Sequence, residues 1–461
     1  MSAEQDFASL DLSPAQLKNL SELGYLSMTP IQAESLPLML AGQDLIGQAR
    51  TGSGKTCAFA LGLLRSIDVS SNQVQALVVC PTRELAEQVT QEIRRLARAL
   101  PNLKCLTLTG GKPLGPQKNS LQHGVHVVVG TPGRLLDHIE RTTLDLKELK
   151  TLVLDEADRM LDMGFLPDVT TIARAAPGNR QTLLFSATYP PEIQQISRKL
   201  QRNPAMVTAD IAAQGEAIQQ LFFEVSKHER HGTLLAIFAH YQLTSALVFC
   251  HTKVQCNQVA SLLNDHKIQA RALHGDFEQR ERDQILIQFS NDSCPVLVAT
   301  DVAARGLDIK ALPAVINYEL PRDPEVYVHR VGRTGRAGES GQAFSIFTEA
   351  EASRVKAIEA FTGEPCLRDV YASLDQNPDY RLFAAMTTVE INAGRKNKIR
   401  PGDVLGALTK DAGLDGADIG KINIGETNCY VAIARAAAPQ ALNYLARGRI
   451  KARSVKARIV K

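Results

Sequence analysis

With 461 residues, 44% of them hydrophobic and 22% charged, the chain is too long for one compact core and too ordinary in composition for a disordered or fibrous protein, so two or three globular domains are expected. No run approaches the roughly 18 consecutive apolar residues of a membrane span, and Met1–Ser13 carries Glu4, Asp6 and Asp11 instead of the apolar core of a secretion signal; a cytoplasmic protein with no membrane partner is expected. Net charge is +3 but uneven: residues 390–461 hold 14 Lys and Arg against 6 Asp and Glu, and the rest holds 38 against 43, which points to a basic module for a polyanion at the end of a near-neutral body.

The eight cysteines show no C-x-x-C spacing, and Cys80 and Cys250 lie inside apolar runs, so buried reduced thiols are expected and a cysteine metal site is not. In chain order, Leu17, Leu20 and Leu23 mark an amphipathic helix that Gly24 ends. Met28-Thr29-Pro30-Ile31-Gln32 follows. Next comes Ala49-Arg50-Thr51-Gly52-Ser53-Gly54-Lys55-Thr56, a Gly-rich turn leading into a lysine, a hydroxyl residue and an apolar helix from Ala58 to Leu64. This is the phosphate-binding loop pattern. The small residues let backbone N–H groups converge on phosphate oxygens at a helix start. Lys55 then reaches the outer phosphates and the Thr56 hydroxyl holds Mg²⁺.

Four short apolar runs follow, each leading into a polar motif. Ala76–Cys80 precedes Pro81-Thr82-Arg83-Glu84, and His126–Gly130 precedes Thr131-Pro132-Gly133-Arg134. Leu152–Leu154 precedes Asp155-Glu156-Ala157-Asp158, and Thr182–Phe185 precedes Ser186-Ala187-Thr188. Continuous apolar strands alternating with helical patterns mean a parallel sheet covered on both faces, with ligands beyond the carboxyl ends of its strands. The strand rhythm fails from about Pro204 to Ala217, so a linker is expected over 206–217. The layout then repeats without a second Gly-Lys-Thr. Ser245–Cys250 precedes His251-Thr252, a strand ends at Leu273-His274-Gly275-Asp276, and Pro295–Ala299 precedes Thr300-Asp301 and Gly306-Leu307-Asp308. Ala314–Tyr318 leads to His329-Arg330-Val331-Gly332-Arg333-Thr334-Gly335-Arg336, and Gln342–Phe347 is expected to close the domain. A connecting segment, 371–384, leads to the basic tail. There strands over Thr388–Asn392, Gly420–Ile424, Cys429–Ala434 and Val455–Val460, with helices over Pro401–Asp411 and Pro439–Ala446, spell βαββαβ, the layout of an RNA-recognition motif. Its aromatic signature is missing: Tyr430 is the only aromatic of the third strand.

The Asp155–Asp158 tetrad and these motifs, over about residues 7–340, resemble the DEAD-box ATP-dependent RNA helicases. The tail, with Arg400-Pro-Gly-Asp-Val-Leu-Gly-Ala-Leu408 and Gly416-Ala-Asp-Ile-Gly420, resembles the C-terminal domain of the DbpA-type subfamily. The resemblance implies an α/β fold of two tandem RecA-like parallel-sheet domains, 1–205 and 218–370, then a small α+β RNA-recognition-motif-like domain over 385–461. It implies that Gln32 reads the adenine edge and that Phe7, 17 residues before Gly24, adds a base contact; the residue itself reads equally well as a core anchor. Ala49, Thr51, Gly52, Ser53, Gly54, Lys55 and Thr56 then cradle ATP, and Asp308 approaches its ribose. Asp155 holds Mg²⁺ with Thr56, largely through water. Glu156 polarises the attacking water. Arg333 and Arg336 act as fingers on the transferring phosphoryl group, worth on the order of 10³–10⁵ in rate. Asp158, Ser186 and Thr188 couple hydrolysis to strand separation.

RNA-contacting positions carried over are Pro81, Arg83, Gly110, Gly111, Thr131 and Arg134 in the first domain, and His274, Gly275, Thr300 and Gly306 in the second. Backbone amides, hydroxyls and guanidinium groups suit phosphates and 2′-OH groups, so specificity falls to the tail, with Lys396, Lys398, Arg400, Tyr430, Arg447, Arg449 and Lys451 as its candidates. The subfamily implies docking on a 23S rRNA hairpin of the peptidyl-transferase region, in a precursor of the large ribosomal subunit, by a monomer. A DNA-unwinding motor fits Gln32 and the complete tetrad poorly. A static RNA scaffold with a decayed nucleotide site predicts a lost Lys55, Glu156 or Arg336, and all are present.

Overall fold

The computed structural model describes residues 6–49, 52–208, 218–304, 312–335, 341–375, 377, 379–451 and 453–460. Thr51, Gly306, Asp308, Arg336 and the 209–217 part of the expected linker lie outside these residues.

The first body is built on a sheet of seven parallel strands: β1 (Leu45–Gln48), β2 (Ala76–Val79), β3 (Cys105–Leu108), β4 (Val127–Gly130), β5 (Thr151–Leu154), β6 (Gln181–Ser186) and β7 (Ala205–Thr208), in the order 3-4-2-5-6-1-7. Alternation explains why its strands are apolar throughout. Val78, Val127, Val129, Val153, Leu183 and Phe185 pack on one face with Ile31, Leu36 and Phe59; Leu77, Val79, Val128, Leu152, Leu154 and Leu184 pack on the other with Leu135, Met160 and Ile172. The start of the expected linker is corrected here. Residues 205–208 are the edge strand β7, parallel to β1, with Met206 exposed and Val207 buried, so an edge position conceals the strand from an apolar-run reading.

The second body repeats this topology strand for strand: β8 (Gln219–Glu224), β9 (Ala246–Cys250), β10 (Ala270–Leu273), β11 (Val296–Thr300), β12 (Ala314–Asn317), β13 (Gln342–Phe347) and β14 (Arg368–Asp369) run in the order 10-11-9-12-13-8-14. Gln342–Phe347 is therefore not the closing strand: β8 and the two-residue β14 lie beyond it. The expected connecting segment is packed down, with Tyr371, Leu374, Tyr380 and Leu382 joining the core of this sheet.

The tail forms an antiparallel sheet of β15 (Met386–Ile391), β16 (Ile419–Ile424), β17 (Cys429–Ala434) and, beyond a hairpin of β18 (Arg449–Ile450) and β19 (Arg453–Ser454), β20 (Ala457–Ile459). Its order is 16-17-15-20. The helices Pro401–Gly406, continued by a π turn over Ala407–Asp411, and Ala438–Arg447 cover one face, with Val404, Leu408, Ala441 and Leu445 against Val389, Ile391, Val431 and Ile433. The other face meets the helix Gln279–Ser290 and the turn after it. Gln288 Nε2 donates to the Val460 carbonyl at 2.9 Å, Thr388 Oγ1 to Ser293 Oγ at 2.8 Å, and Asn423 Nδ2 to Asn291 Oδ1 at 2.9 Å. All eight cysteines are free thiols, seven of them buried. No described helix is long and apolar enough to cross a membrane, and no described group of His, Cys, Asp and Glu could hold a metal by itself.

Candidate functional site

The carboxyl ends of the central strands carry the candidate groups of the first body. Each motif begins while its backbone is still bonded to a neighbouring strand: Ala49 N to Ser186 O at 3.1 Å, Cys80 N to Gly130 O at 2.9 Å, Thr131 N to Leu108 O at 3.1 Å and Asp155 N to Val79 O at 3.0 Å. The sheet thus sets the spacing of the motifs.

Between β1 and the helix Lys55–Arg65, Gly52 and Gly54 hold left-handed φ of 86° and 94°. A Cβ on Gly54 would come within 2.5 Å of Gln32 Nε2, so that position needs glycine for both its backbone and its neighbour. Gln32 itself is buried. Its Oε1 accepts from Thr29 N at 2.9 Å and its Nε2 donates to Gly54 O at 3.1 Å, which ties the expected adenine reader to the phosphate loop. Lys55 Nζ, also buried, donates to Ala49 O at 2.6 Å. Ser53 Oγ is buried with no hydrogen-bond partner among the described residues. Phe7 is 3% exposed and packs in the core cluster of Ile31, Leu36 and Phe59, so the structure presents it as an anchor of the N-terminal arm.

Asp155 is 3% exposed. Burial, with a further push from Glu156 and against the pull of Lys55, raises its carboxyl to about 7. Glu156 caps the helix Ala157–Asp162 in the left-handed region at φ 53°, a conformation that costs a non-glycine residue roughly 1–2 kcal/mol. Its Oε2 makes no hydrogen bond among the described residues, although Arg159 Nε pairs with it at 3.3 Å. Asp158 binds the next motif directly: Oδ2 accepts from Ala187 N at 2.9 Å and Thr188 N at 3.1 Å, and Ser186 Oγ accepts from Asp158 N at 3.2 Å. The residues fit Mg²⁺ with a nucleotide: Asp155 is a buried carboxylate coupled to the Lys55 ammonium, and Thr56 follows Lys55 at the start of the helix, so that Asp155 and Thr56 would hold the metal.

The raised Asp155 pKa has a measurable consequence. Because the folded value lies above the ordinary 3.8, this carboxyl favours folding only while protonated: its contribution is intact below about pH 4, falls as pH rises, and is lost above about pH 7. Asp155→Asn therefore raises the stability of the protein measured without nucleotide by on the order of 2–4 kcal/mol at pH 8, and the gain vanishes toward pH 4. Calorimetric midpoints across that range test this; a gap that does not change with pH sinks it.

The expected RNA groups of the first body also converge. Arg83 lies over Gly110, where a Cβ would meet its Nη2 at 3.1 Å. Gly111 is left-handed at φ 75°. Arg134 Nη1 donates to Lys112 O at 3.0 Å. In the second body, His274 directly follows β10, Thr300 ends the neighbouring β11, and Gly275 is exposed. His274 Nε2 bonds Asn257 Oδ1 at 3.1 Å, and burial holds its imidazole below the usual range.

Sequence reasoning passed over Arg330. This buried guanidinium grips Asp301 with Nε at 2.6 Å and Nη2 at 2.8 Å, and reaches Asn317 Oδ1 at 2.9 Å and the Glu319 carbonyl at 2.8 Å. It thereby fixes the Thr300 turn against the helix that leads to Arg333, itself buried. The signal was present in the run His329–Arg336, but which of its arginines turns inward is a matter of packing.

The tail corrects one expectation. Tyr430 is 8% exposed, with its hydroxyl 2.9 Å from Asn428 Nδ2 and 3.3 Å from Glu390 Oε1, so its ring offers no open platform for a base. It stands on the sheet face that meets the helix Gln279–Ser290. Lys398, Arg400 and Lys451 come together elsewhere: Lys451 Nζ reaches Lys398 O at 3.1 Å and Asp403 Oδ2 at 3.4 Å, and Asp403 also accepts from Arg400 N at 2.8 Å. Arg449 flanks them on the hairpin, where its carbonyl accepts from Tyr444 Oη at 3.1 Å. Lys396 and Arg447 are exposed nearby in sequence, on a 3₁₀ turn and at a helix end.

Comparison with known proteins identifies the domains that carry these residues. Residues 29–196 match the DEAD/DEAH box helicase family model, 229–338 the helicase conserved C-terminal domain and 388–459 the DbpA RNA binding domain. The chain is 52% identical over 456 residues to the ATP-dependent RNA helicase DbpA of Escherichia coli, covering 98% of both chains. It is 42% identical over 371 residues to the DEAD-box ATP-dependent RNA helicase CshA of Bacillus subtilis, covering 80% of this chain and 75% of that one. Saccharomyces cerevisiae Dbp5 bound to RNA and ADP BeF3 superposes with a TM-score of 0.73 at 30% identity, over 80% of this chain and 96% of that one.

Proposed function

The chain belongs to the DEAD-box family of ATP-dependent RNA helicases, and from that premise we propose that it remodels 23S rRNA locally and non-processively during assembly of the bacterial large ribosomal subunit, directed there by its tail. The observation that carries the targeting is the basic cluster of Lys398, Arg400 and Lys451, in a module that matches the DbpA RNA binding domain. Three basic residues gathered around Asp403 at one end of the module suit the phosphates of a folded hairpin.

In this reading Lys55 and the loop amides bind the outer phosphates, Gln32 reads the base, and Phe7 supports it from the core. Mg²⁺, held by Thr56 and Asp155, would offset charge on the phosphate oxygens. Glu156 orients the attacking water and takes its proton. Arg333 and Arg336 stabilise the transferring group, with Asp308 at the ribose. Asp158 passes the state of the site to Ser186 and Thr188 through the bonds described above. Pro81, Arg83, Gly110, Gly111, Thr131, Arg134, His274, Gly275, Thr300 and Gly306 hold the RNA backbone. The protein works as a cytoplasmic monomer.

Steady-state ATP hydrolysis with no RNA, an unrelated single-stranded RNA, and an rRNA fragment carrying the peptidyl-transferase hairpin tests the reading. Strong stimulation by the fragment alone is expected. Equal stimulation by both RNAs would reduce the tail to a general anchor and remove the ribosomal assignment.

A further inference from the structure

Gln117 lies on the helix Leu114–Gln122 and is the buried residue of that helix, 5% exposed. Both ends of its amide are engaged. Nε2 donates to the Thr109 carbonyl at 3.1 Å, on the chain that continues into Gly110 and Gly111. Oε1 accepts from Arg134 Nη1 at 2.8 Å and faces His138 Nε2 at 3.0 Å. The His138 ring is buried; burial favours its neutral form, so with Nε2 donating to Gln117 its Nδ1 accepts from the Thr143 hydroxyl, 2.7 Å away. With both lone pairs of Oε1 and one N–H of the amide engaged, only an amide serves: a carboxylate cannot donate to Thr109, and an apolar side chain can do neither.

Arg134 is thereby turned to a fixed pose. Its Nη1 is committed to Gln117 and the Lys112 carbonyl, and its Nε stands 3.7 Å from Asp137 Oδ2, while Nη2 has no hydrogen-bond partner among the described residues. A guanidinium anchored through one terminal nitrogen presents the other outward, as a phosphate contact requires.

We propose that Gln117 is a positioning residue for RNA binding: one buried amide holds the Arg134 guanidinium and the Thr109-Gly110-Gly111 turn at a set separation, so that both meet the backbone of one RNA strand together. The proposal rests on the reading of Arg134 and of Gly110–Gly111 as RNA contacts. Gln117 touches no RNA itself; it removes the rotamer freedom that Arg134 would otherwise lose on binding.

The test uses the full-length protein and a fluorescein-labelled single-stranded RNA, measured by anisotropy with a non-hydrolysable ATP analogue and by RNA-stimulated ATPase. Gln117→Leu removes every bond; Gln117→Asn keeps the amide but is one methylene too short to span Arg134 and Thr109, and it is the variant to rely on if the leucine variant does not fold. Expected for Gln117→Asn is an increase of about 10-fold in half-saturating RNA, with kcat at saturating RNA and ATP affinity without RNA within twofold of the parent. A merely structural role would instead lower the melting temperature and ATP affinity together and leave half-saturating RNA unchanged. If Arg134→Ala weakens RNA binding about 10-fold and Gln117→Asn changes it less than twofold, the positioning role is overturned. If Arg134→Ala leaves RNA binding unchanged, the underlying reading of Arg134 falls, and the proposal with it.

Discussion

Glu156→Gln lowers RNA-stimulated ATP turnover by about 10²–10⁴-fold, the range for loss of a positioned general base, and leaves ATP affinity within a fewfold of the parent. Glutamine matches glutamate in shape, so the left-handed backbone at φ 53° and the packing of the helix Ala157–Asp162 are preserved. On the proposed role, what disappears is the carboxylate that takes the proton of the attacking water. The group is buried, its Oε2 makes no hydrogen bond among the described residues though Arg159 Nε lies 3.3 Å away, and its backbone is left-handed. Turnover by a coupled assay and affinity by titration with a fluorescent nucleotide separate the two effects. Turnover above a tenth of the parent's would refute the role, and lost ATP binding would show that Glu156 serves the fold of the loop instead.

The second large effect is expected in the tail. Reversing Lys398, Arg400 and Lys451 to glutamate together raises the concentration of rRNA fragment needed for half-maximal stimulation by about 10²–10³-fold, and shifts that for an unrelated single strand less than about threefold. The logic is electrostatic. Three proposed phosphate contacts become repulsions, and the dependence of binding on salt flattens by a comparable number of counterions. Deleting residues 385–461 is a cruder test than the sequence suggests, because it also strips the cover from Gln288, Asn291 and Ser293, which bond the tail sheet. The triple reversal leaves that contact intact. Titrations at two salt concentrations decide the matter; an unchanged preference for the fragment would mean that the tail reads RNA through other groups.

The parallel-sheet domains and the positions of their motifs were legible because each rests on a local signal. Valine-rich runs with both faces apolar, such as Ala76–Val79 and Val296–Val298, are strands buried on two sides, and the helix after the Gly-rich turn starts at Lys55 as its pattern implies. Two edge strands, β7 and β14, escaped. β7 carries one buried and one exposed apolar residue, and β14 spans two residues, so neither rises above the pattern of a loop. Tyr430 was misjudged for a related reason. Its place on the third strand of the tail was readable, but the helix from another domain that meets that sheet face was not.

The sequence by itself determined what each short segment is and which chemistry it can offer: a phosphate loop with its lysine, an acid tetrad at the end of a buried strand, and a basic module after a near-neutral body. These follow from residue spacing along a few turns or one strand, where neighbours in sequence are neighbours in space. Tertiary structure alone decided which groups are shared between motifs. Asp158 bonds a segment 29 residues away, Arg330 bonds Asp301 over the same separation, and Gln117 links Thr109 to Arg134. Such contacts depend on strand order, 3-4-2-5-6-1-7 and its repeat, because only order brings the carboxyl ends of strands distant in the chain side by side. A polar side chain on a helix carries no mark of whether that order will bury it against a partner or leave it in water.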